Sequence, residues 1–405
     1  MRLLHTSDWH LGKRLFDKER YDVFEKFLAW LLSTIRQERV DTLIVAGDIF
    51  DTAVPTNKSL RLYYDFLSQL TSSECRHVVI VSGNHDSPTL LEAPKEILEN
   101  FGVHVIGGAE SPEDEVIELK DKAGNLEGVV CAVPFLRERD ILRLKDDSTL
   151  SRAEEIQLAV ENHYKSVVKA AIDRMGAKRV PLIATGHLFT VGSPKGEDVN
   201  ELYIGATGAV PVNIFPSEIY YLALGHIHRA YSIGGDKTRN YCGAPIPLTF
   251  EEANLEKLVR LVDFEPDEIK VADIQVPKFD RLVSVQGSQT EISTKLKELA
   301  GQDEKILVEV IHTGKANAIN LTGEVSEQTS GTKIEVLRVF DETKKANCLA
   351  NDGDEMEIGE LTWENVFEKK LKNETFEGEV SEEELWNAYR NAYFQISELA
   401  DVNAQ

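Results

Sequence analysis

The chain has 405 residues, too many for one average core, so two or three units are expected. Its 42% hydrophobic content suits a globular protein, and no apolar run reaches the roughly 18 residues of a membrane span. A formal net charge of −24 argues against tight nucleic-acid binding by this chain alone, because phosphate binding rests largely on Lys and Arg.

The acid is unevenly spread. From Asn351 to Gln405 there are 15 Asp and Glu against 4 Lys and Arg, a net of −11. The stretch from Met1 to Asp8 turns polar too early for a secretory leader. The 4 cysteines, Cys75, Cys131, Cys242 and Cys348, are widely separated, which fits neither a zinc knuckle nor a disulfide framework. Both observations set the expectation of a cytoplasmic protein.

Leu3-Leu4-His5 reads as a short strand. Tyr21, Phe24, Leu28, Leu31 and Ile35 recur at helical spacing and predict an amphipathic helix. Asp41 to Ala46 is a buried-type strand, Asn57 to Thr71 a helix, His77 to Val81 a strand, Leu90 to Asn100 a helix and Val103 to Ile106 a strand. This alternation points to a layered α/β core. Later strands are expected at Val116 to Leu119, Gly128 to Val133, Leu182 to Thr185, Tyr220 to Leu224, Val259 to Val262 and Ile269 to Ile274, with a long helix from Arg152 to Met175. A first domain is drawn at residues 1–276. Residues 281–340 read as a small α+β unit, with strands at Leu282 to Val285, Ile306 to Ile311 and Ile334 to Phe340, a helix at Ser293 to Leu299 and a weaker one later. Residues 341–360 form an acidic linker. Two helices follow within 361–405, the first capped by Thr362 and the second opened by the capping box Ser381 to Glu384. Leu385, Tyr389, Ala392, Ile396 and Leu399 make a narrow apolar seam of the coiled-coil kind on the second.

Five short motifs fall at predicted strand ends: Asp8-Trp9-His10, Gly47-Asp48-Ile49-Phe50-Asp51, Gly83-Asn84-His85-Asp86, Gly186-His187 and Gly225-His226-Ile227-His228. The carboxyl ends of strands are where an α/β sheet gathers its site. Any one motif is weak, since a lone Asp-x-His or Gly-Asp turn is usually coincidence or only a turn. Together they offer seven ligand-type residues, Asp8, His10, Asp48, Asn84, His187, His226 and His228. Carboxylate, imidazole and amide oxygen suit Mn²⁺, Fe²⁺ or Zn²⁺. Seven is too many for one ion, so a pair is expected, bridged by Asp48 and suited to in-line displacement at phosphorus. Asp86 is read as orienting His85 or as capping the following turn. His5, His77, His104, His163 and His312 lie outside the pattern and read as surface or satisfied core.

At these residues the sequence resembles the calcineurin-like metallophosphoesterases, which carry the same five motifs in the same order. The stretches His5 to Gly12, Val45 to Thr52, Gly83 to Ser87, Ala184 to His187, Ala223 to Ala230 and Tyr241 to Leu248 narrow the resemblance to SbcD-type nuclease subunits. Ala244 departs from a serine expected there. The phosphoprotein phosphatase branch fits less well, because Thr52-Ala53 follows Asp51 where that branch has Arg-Gly.

The resemblance implies a four-layer α/β sandwich flanked by helices, with a small α+β capping domain at 281–340 and C-terminal helices. It implies one cation on Asp8, His10, Asp48 and His228, and a second on Asp48, Asn84, His187 and His226, with Mn²⁺ preferred. His85 and Asp86 are the expected catalytic residues, His85 as proton donor or charge stabiliser beside the scissile phosphate. The implied activity is exonucleolytic on duplex DNA and endonucleolytic on single strands and hairpins, in recombination and repair. It is performed with an SbcC-type coiled-coil ATPase, bound through the C-terminal helices, and with a nuclease domain that forms a homodimer. The competing expectation is the same fold acting on a cyclic nucleotide or small phosphodiester.

Overall fold

The computed structural model describes residues 1–109, 111–142, 150–190, 210–266, 268–314 and 320–342. The expected linker beyond Glu342 and the expected helices within 361–405 lie outside the described residues. Residues Met1–Asp341 form one compact unit.

The first sheet contains β1 (Arg2–Thr6), β2 (Thr42–Ala46), β3 (His77–Val81) and β4 (Val103–Ile106), and is completed by β11 (Leu258–Phe264) and β12 (Ile269–Gln275) in the order β12-β11-β1-β2-β3-β4. The second contains β5 (Val116–Lys120), β6 (Leu126–Cys131), β7 (Leu182–His187), β8 (Tyr221–Gly225), β9 (Tyr231–Ser232) and β10 (Arg239–Tyr241) in the order β5-β6-β7-β8-β10-β9. In the first sheet β1 to β4 pair in parallel out to the β4 edge, and β11 pairs antiparallel with both β1 and β12; in the second, β6, β7, β8 and β10 pair in parallel and the edge strands β5 and β9 antiparallel.

The continuous apolar run of β2 shows why the sheets stack. Side chains alternate across a strand, so Leu43 and Val45 enter a core beneath helices while Ile44 and Ala46 enter the core between the sheets. The inter-sheet core sets Leu3, Val79, Val81 and Val262 against Leu119, Val130, Ile183 and Ala223. Helices Tyr21–Gln37 and Asn57–Leu70 cover the outer face of the first sheet through Phe24, Phe27, Leu31, Tyr63 and Phe66. Helix Arg152–Met175 covers the second through Ile156, Val160, Tyr164 and Val167. The result is the four-layer sandwich.

The single helix expected from Leu90 to Asn100 is instead two short ones, Pro88–Glu92 and Lys95–Glu99. Pro94 separates them, having no amide hydrogen to continue the ladder. β9 and β10, with two and three residues, carry no periodicity from which to expect them.

The third sheet, β13 (Arg281–Gly287), β14 (Ile306–His312) and β15 (Ile334–Asp341), is wholly parallel. Parallel neighbours need crossovers, and helices Gln289–Ala300 and Leu321–Thr329 supply them. Strand and helix therefore alternate in this unit and are not segregated as an α+β reading would have them. Ile292, Leu296, Val308, Val310 and Val325 fill its core.

A separate apolar cluster joins this sheet to the rest. Leu282 and Leu307 pack with Leu15, Phe250 and Ala253. Arg20, only 2% exposed, donates to both carboxylate oxygens of Asp280 at 2.9 and 3.1 Å and to the Pro247 carbonyl at 2.7 Å. Cys75, Cys131 and Cys242 are buried free thiols. No helix among the described residues is long and apolar enough to cross a membrane.

Candidate metal centre

The parallel strands of both sheets deliver their carboxyl ends to one place. β1 leads to Asp8 and His10, β2 to Asp48, β3 to Asn84 and His85, β7 ends on His187, and β8 leads to His226 and His228. The first loop is pinned by Trp9, which is fully buried, meets Phe27 and Phe66 edge-on and donates from Nε1 to Thr6 Oγ1 at 3.0 Å. Main-chain bonds then lace this loop to the second: Asp8 N to Gly47 O at 3.0 Å, His10 N to Asp48 O at 3.0 Å and Leu11 N to Ile49 O at 2.9 Å.

Four of the seven candidate ligands, Asp8, His10, Asp48 and His226, have φ between 45° and 95°. Such backbone is uncommon outside glycine and clusters at functional sites. Gly47 beside them, at φ 86°, serves close approach as well as the turn, because a β-carbon there would run into the His187 ring.

The side chains fall into groups that fit ion binding. Ligand atoms of Asp8, His10 and His228 lie within 4.8 Å of one another, as do those of Asp8, Asp48 and His187. Asp48 Oδ2 stands 3.3 Å from His10 Nε2 and 3.2 Å from His187 Nε2, so one oxygen lies between the two clusters. Asn84 Oδ1 is 3.1 Å from His187 Nε2 and 3.0 Å from His226 Nδ1. A third group, His10, Asp51 and His85, was not expected from the sequence.

His10 is 1% exposed, and its two ring nitrogens meet carboxylate oxygens, Asp48 Oδ2 at 3.3 Å and Asp51 Oδ1 at 3.4 Å, without hydrogen-bond geometry to either. Buried polar atoms are normally paired, and the oxygen and nitrogen donors around His10 are those that divalent first-row cations accept. The residues fit such ions on this ground.

The electrostatics agree. Burial would raise the Asp48 carboxyl, but the facing rings of His187 and His10 hold it well below the carboxylate range. Burial would lower His187, but the Asp48 charge outweighs it and lifts the ring to about 9. His226 goes the other way, to about 3, through burial and then the neighbouring His187. A carboxylate that draws protons onto two rings would draw a divalent cation for the same reason.

Main-chain acceptors orient two of the histidines. His187 Nδ1 faces the Ala46 carbonyl at 2.9 Å, and His85 Nδ1 the Asp51 carbonyl at 2.8 Å. The ring of His85 lies 4.8 Å, centroid to centroid, from that of His10. Asp86 is placed differently. Its buried carboxylate accepts the amides of Ile49 at 3.1 Å, Phe50 at 2.9 Å and Gly83 at 2.8 Å, tying the second loop to the third. Burial, with the Asp48 charge adding to it, raises Asp86 to about 6 despite those amides. The amides that Asp86 accepts thus come from the second loop and from Gly83 before it, whereas the turn that follows is capped by Ser87, whose hydroxyl accepts from the Leu90 amide at 3.4 Å.

Sequence reasoning missed Glu252. It is 6% exposed, its Oε1 is 3.2 Å from His228 Nδ1, and its Oε2 is paired with the ammonium of Lys257. No local pattern announces it, since it stands 24 residues beyond its imidazole partner.

Comparison with known proteins follows the same lines. Residues 1–230 match the family described as calcineurin-like phosphoesterase, and residues 278–375 the family described as type 5 capsule protein repressor C-terminal domain. The chain is 33% identical over 375 residues to a protein of Escherichia coli (strain K12) named as the SbcD component of the nuclease SbcCD, with 92% of each chain covered. Proteins of the same name from Rhodobacter capsulatus and Bacillus subtilis (strain 168) are 37% and 28% identical. The Rhodobacter match spans 65% of this chain and 66% of that one, and the Bacillus match 95% and 96%.

Proposed function

This chain belongs to the calcineurin-like phosphoesterases, and within them to the SbcD nuclease subunits, and we propose that its strand-end loops hold two divalent cations for the hydrolysis of DNA phosphodiester bonds. The observation that carries this reading is the Asp48 oxygen lying within 3.3 Å of ring nitrogens from both histidine clusters.

In this reading Asp8, His10, Asp48 and His228 hold one cation, and Asp48, Asn84, His187 and His226 the other. When bound, the pair would supply a Lewis acid for the phosphoryl oxygens and a more acidic water. The remaining chemistry belongs to side chains. His85 donates its Nδ1 proton to the Asp51 carbonyl, which assigns proton exchange with the leaving oxygen to Nε2. Asp86 holds the loops of Asp48 and His85 in register.

The division into a nuclease domain at 1–276, a capping domain at 281–340, an acidic linker at 341–360 and partner-binding helices at 361–405 is part of the proposal. So are Mn²⁺ as the working metal, an SbcC-type coiled-coil ATPase bound by those helices in DNA recombination and repair, a homodimer of the nuclease domain and a cytoplasmic location. The net charge of −24 gives the ATPase a reason to be present, since basic surface for the DNA would come from the partner.

The test is a cleavage assay on hairpin and plasmid DNA with Mn²⁺, with excess chelator, and with the ATPase present or absent. Mn²⁺-dependent nicking that chelator abolishes is the expected result. Cleavage undiminished in chelator, or activity confined to small phosphodiesters, would overturn it.

A further inference from the structure

His228 is held differently from His187 and His85. Their Nδ1 atoms face main-chain carbonyls, whereas His228 Nδ1 faces a side chain, Glu252 Oε1 at 3.2 Å. That carboxylate is anchored from behind. Its second oxygen is paired with the Lys257 ammonium and accepts the Leu248 amide at 3.4 Å, while Lys257 also donates to the His228 carbonyl at 3.2 Å.

Glu252 sits in a single 3₁₀ turn, Glu251–Asn254. Its neighbours Phe250 and Ala253 are buried against Leu282 of β13 and Leu307 of β14. The turn is thus gripped by the third sheet on one side and by the His228 loop on the other. Fold stability does not explain a buried ion pair here, because well-packed apolar residues commonly serve as well or better. A carboxylate behind a metal-binding imidazole does have a known physical effect: it fixes tautomer and ring orientation and raises ligand basicity.

We infer that Glu252 is a positioning residue that orients the His228 ring toward Asp8 and His10 and strengthens cation binding there. This rests on the reading of His228 as a ligand. Glu252 itself touches neither substrate nor metal. Lys257 serves it as an anchor and donates to the His228 carbonyl.

The experiment is a calorimetric titration of the full-length chain with Mn²⁺, with thermal melts in chelator, for the wild type, Glu252→Gln and Lys257→Met. The wild type is expected to show two sites. Glu252→Gln weakens one of them by ~10–100-fold, the usual effect of removing such an outer carboxylate, and leaves the other unchanged. Lys257→Met removes the same ion pair and the anchor but leaves Glu252 facing His228, and weakens that site less than Glu252→Gln does. If Glu252→Gln melts below the assay temperature, the double variant Glu252→Gln/Lys257→Met, which buries no uncompensated charge, reads the same loss. Wild-type affinities in Glu252→Gln, or an equal loss in Lys257→Met, would overturn the inference. A wild-type chain that binds no Mn²⁺ would overturn the reading of His228 beneath it.

Discussion

The amide of His85 donates to Asp48 Oδ1 at 2.9 Å, so the central carboxylate and the neighbouring histidine are tied through the main chain. The other Asp48 oxygen faces His10 and His187. The two oxygens thus have separate tasks, one fixing a loop and the other facing both histidine clusters.

Asp48→Ala should therefore lose both cations, whereas Asp8→Ala should lose mainly one. Elemental analysis of the purified variants measures this. Two equivalents of metal retained by Asp48→Ala would show that it does not bridge.

His85→Ala should keep its metal and lose rate. A general acid contributes roughly 10²–10⁴-fold, and a drop in kcat of that size on hairpin DNA is expected. A wild-type rate at full metal content would remove His85 from the chemistry.

Asp86→Ala leaves three main-chain donors, on Ile49, Phe50 and Gly83, without their acceptor. Each buried group so orphaned costs ~1–3 kcal/mol. A loss of about 3 kcal/mol or more in urea unfolding is expected, while Asp86→Asn, which keeps one carbonyl oxygen, should lose less. If stability is unchanged and only turnover falls, Asp86 acts in catalysis after all.

His5 lies outside the site, in β1, fully buried against the Tyr221 hydroxyl at 3.1 Å. Burial, and then the charge of Arg260, lowers its ring to about 3 from 6.5. Between those values the unfolded chain binds a proton that the folded chain refuses. The contribution of His5 is therefore complete above pH 6.5 and is lost as the pH falls toward 3. By pH 5 the loss is about 2 kcal/mol, at 1.36 kcal/mol per unit. Urea unfolding at pH 7 and pH 5 should show this slope in the wild type and a flatter one in His5→Gln. Equal slopes would mean that His5 does not titrate in this way.

Much of the architecture is legible in the sequence because its central strands are buried on both faces and read as unbroken apolar runs ending in glycine. The loops that carry Asp48, Asn84 and His226 are visible for the same reason, whereas those of Asp8 and His187 follow runs broken by His5 and Thr6 or by Thr185. Pairing is less legible. Nothing in the spacing of Val283, Val308 and Val336 says that their strands run parallel, because side-chain alternation is the same in either direction. Glu252 is invisible because its partner arrives through the fold. The split at Pro94, by contrast, stands in the sequence for a reader who weighs proline above periodicity.

The left-handed backbone at Asp8, His10, Asp48 and His226 has an evolutionary consequence. Each such residue stores strain on the order of 1–3 kcal/mol, which glycine would largely release. Selection for heat resistance alone would thus drift toward glycine at the positions the chemistry needs. A lineage kept for survival of heating, with no demand for DNA cleavage, would erase its centre from the backbone outward and become a sturdier but inert protein.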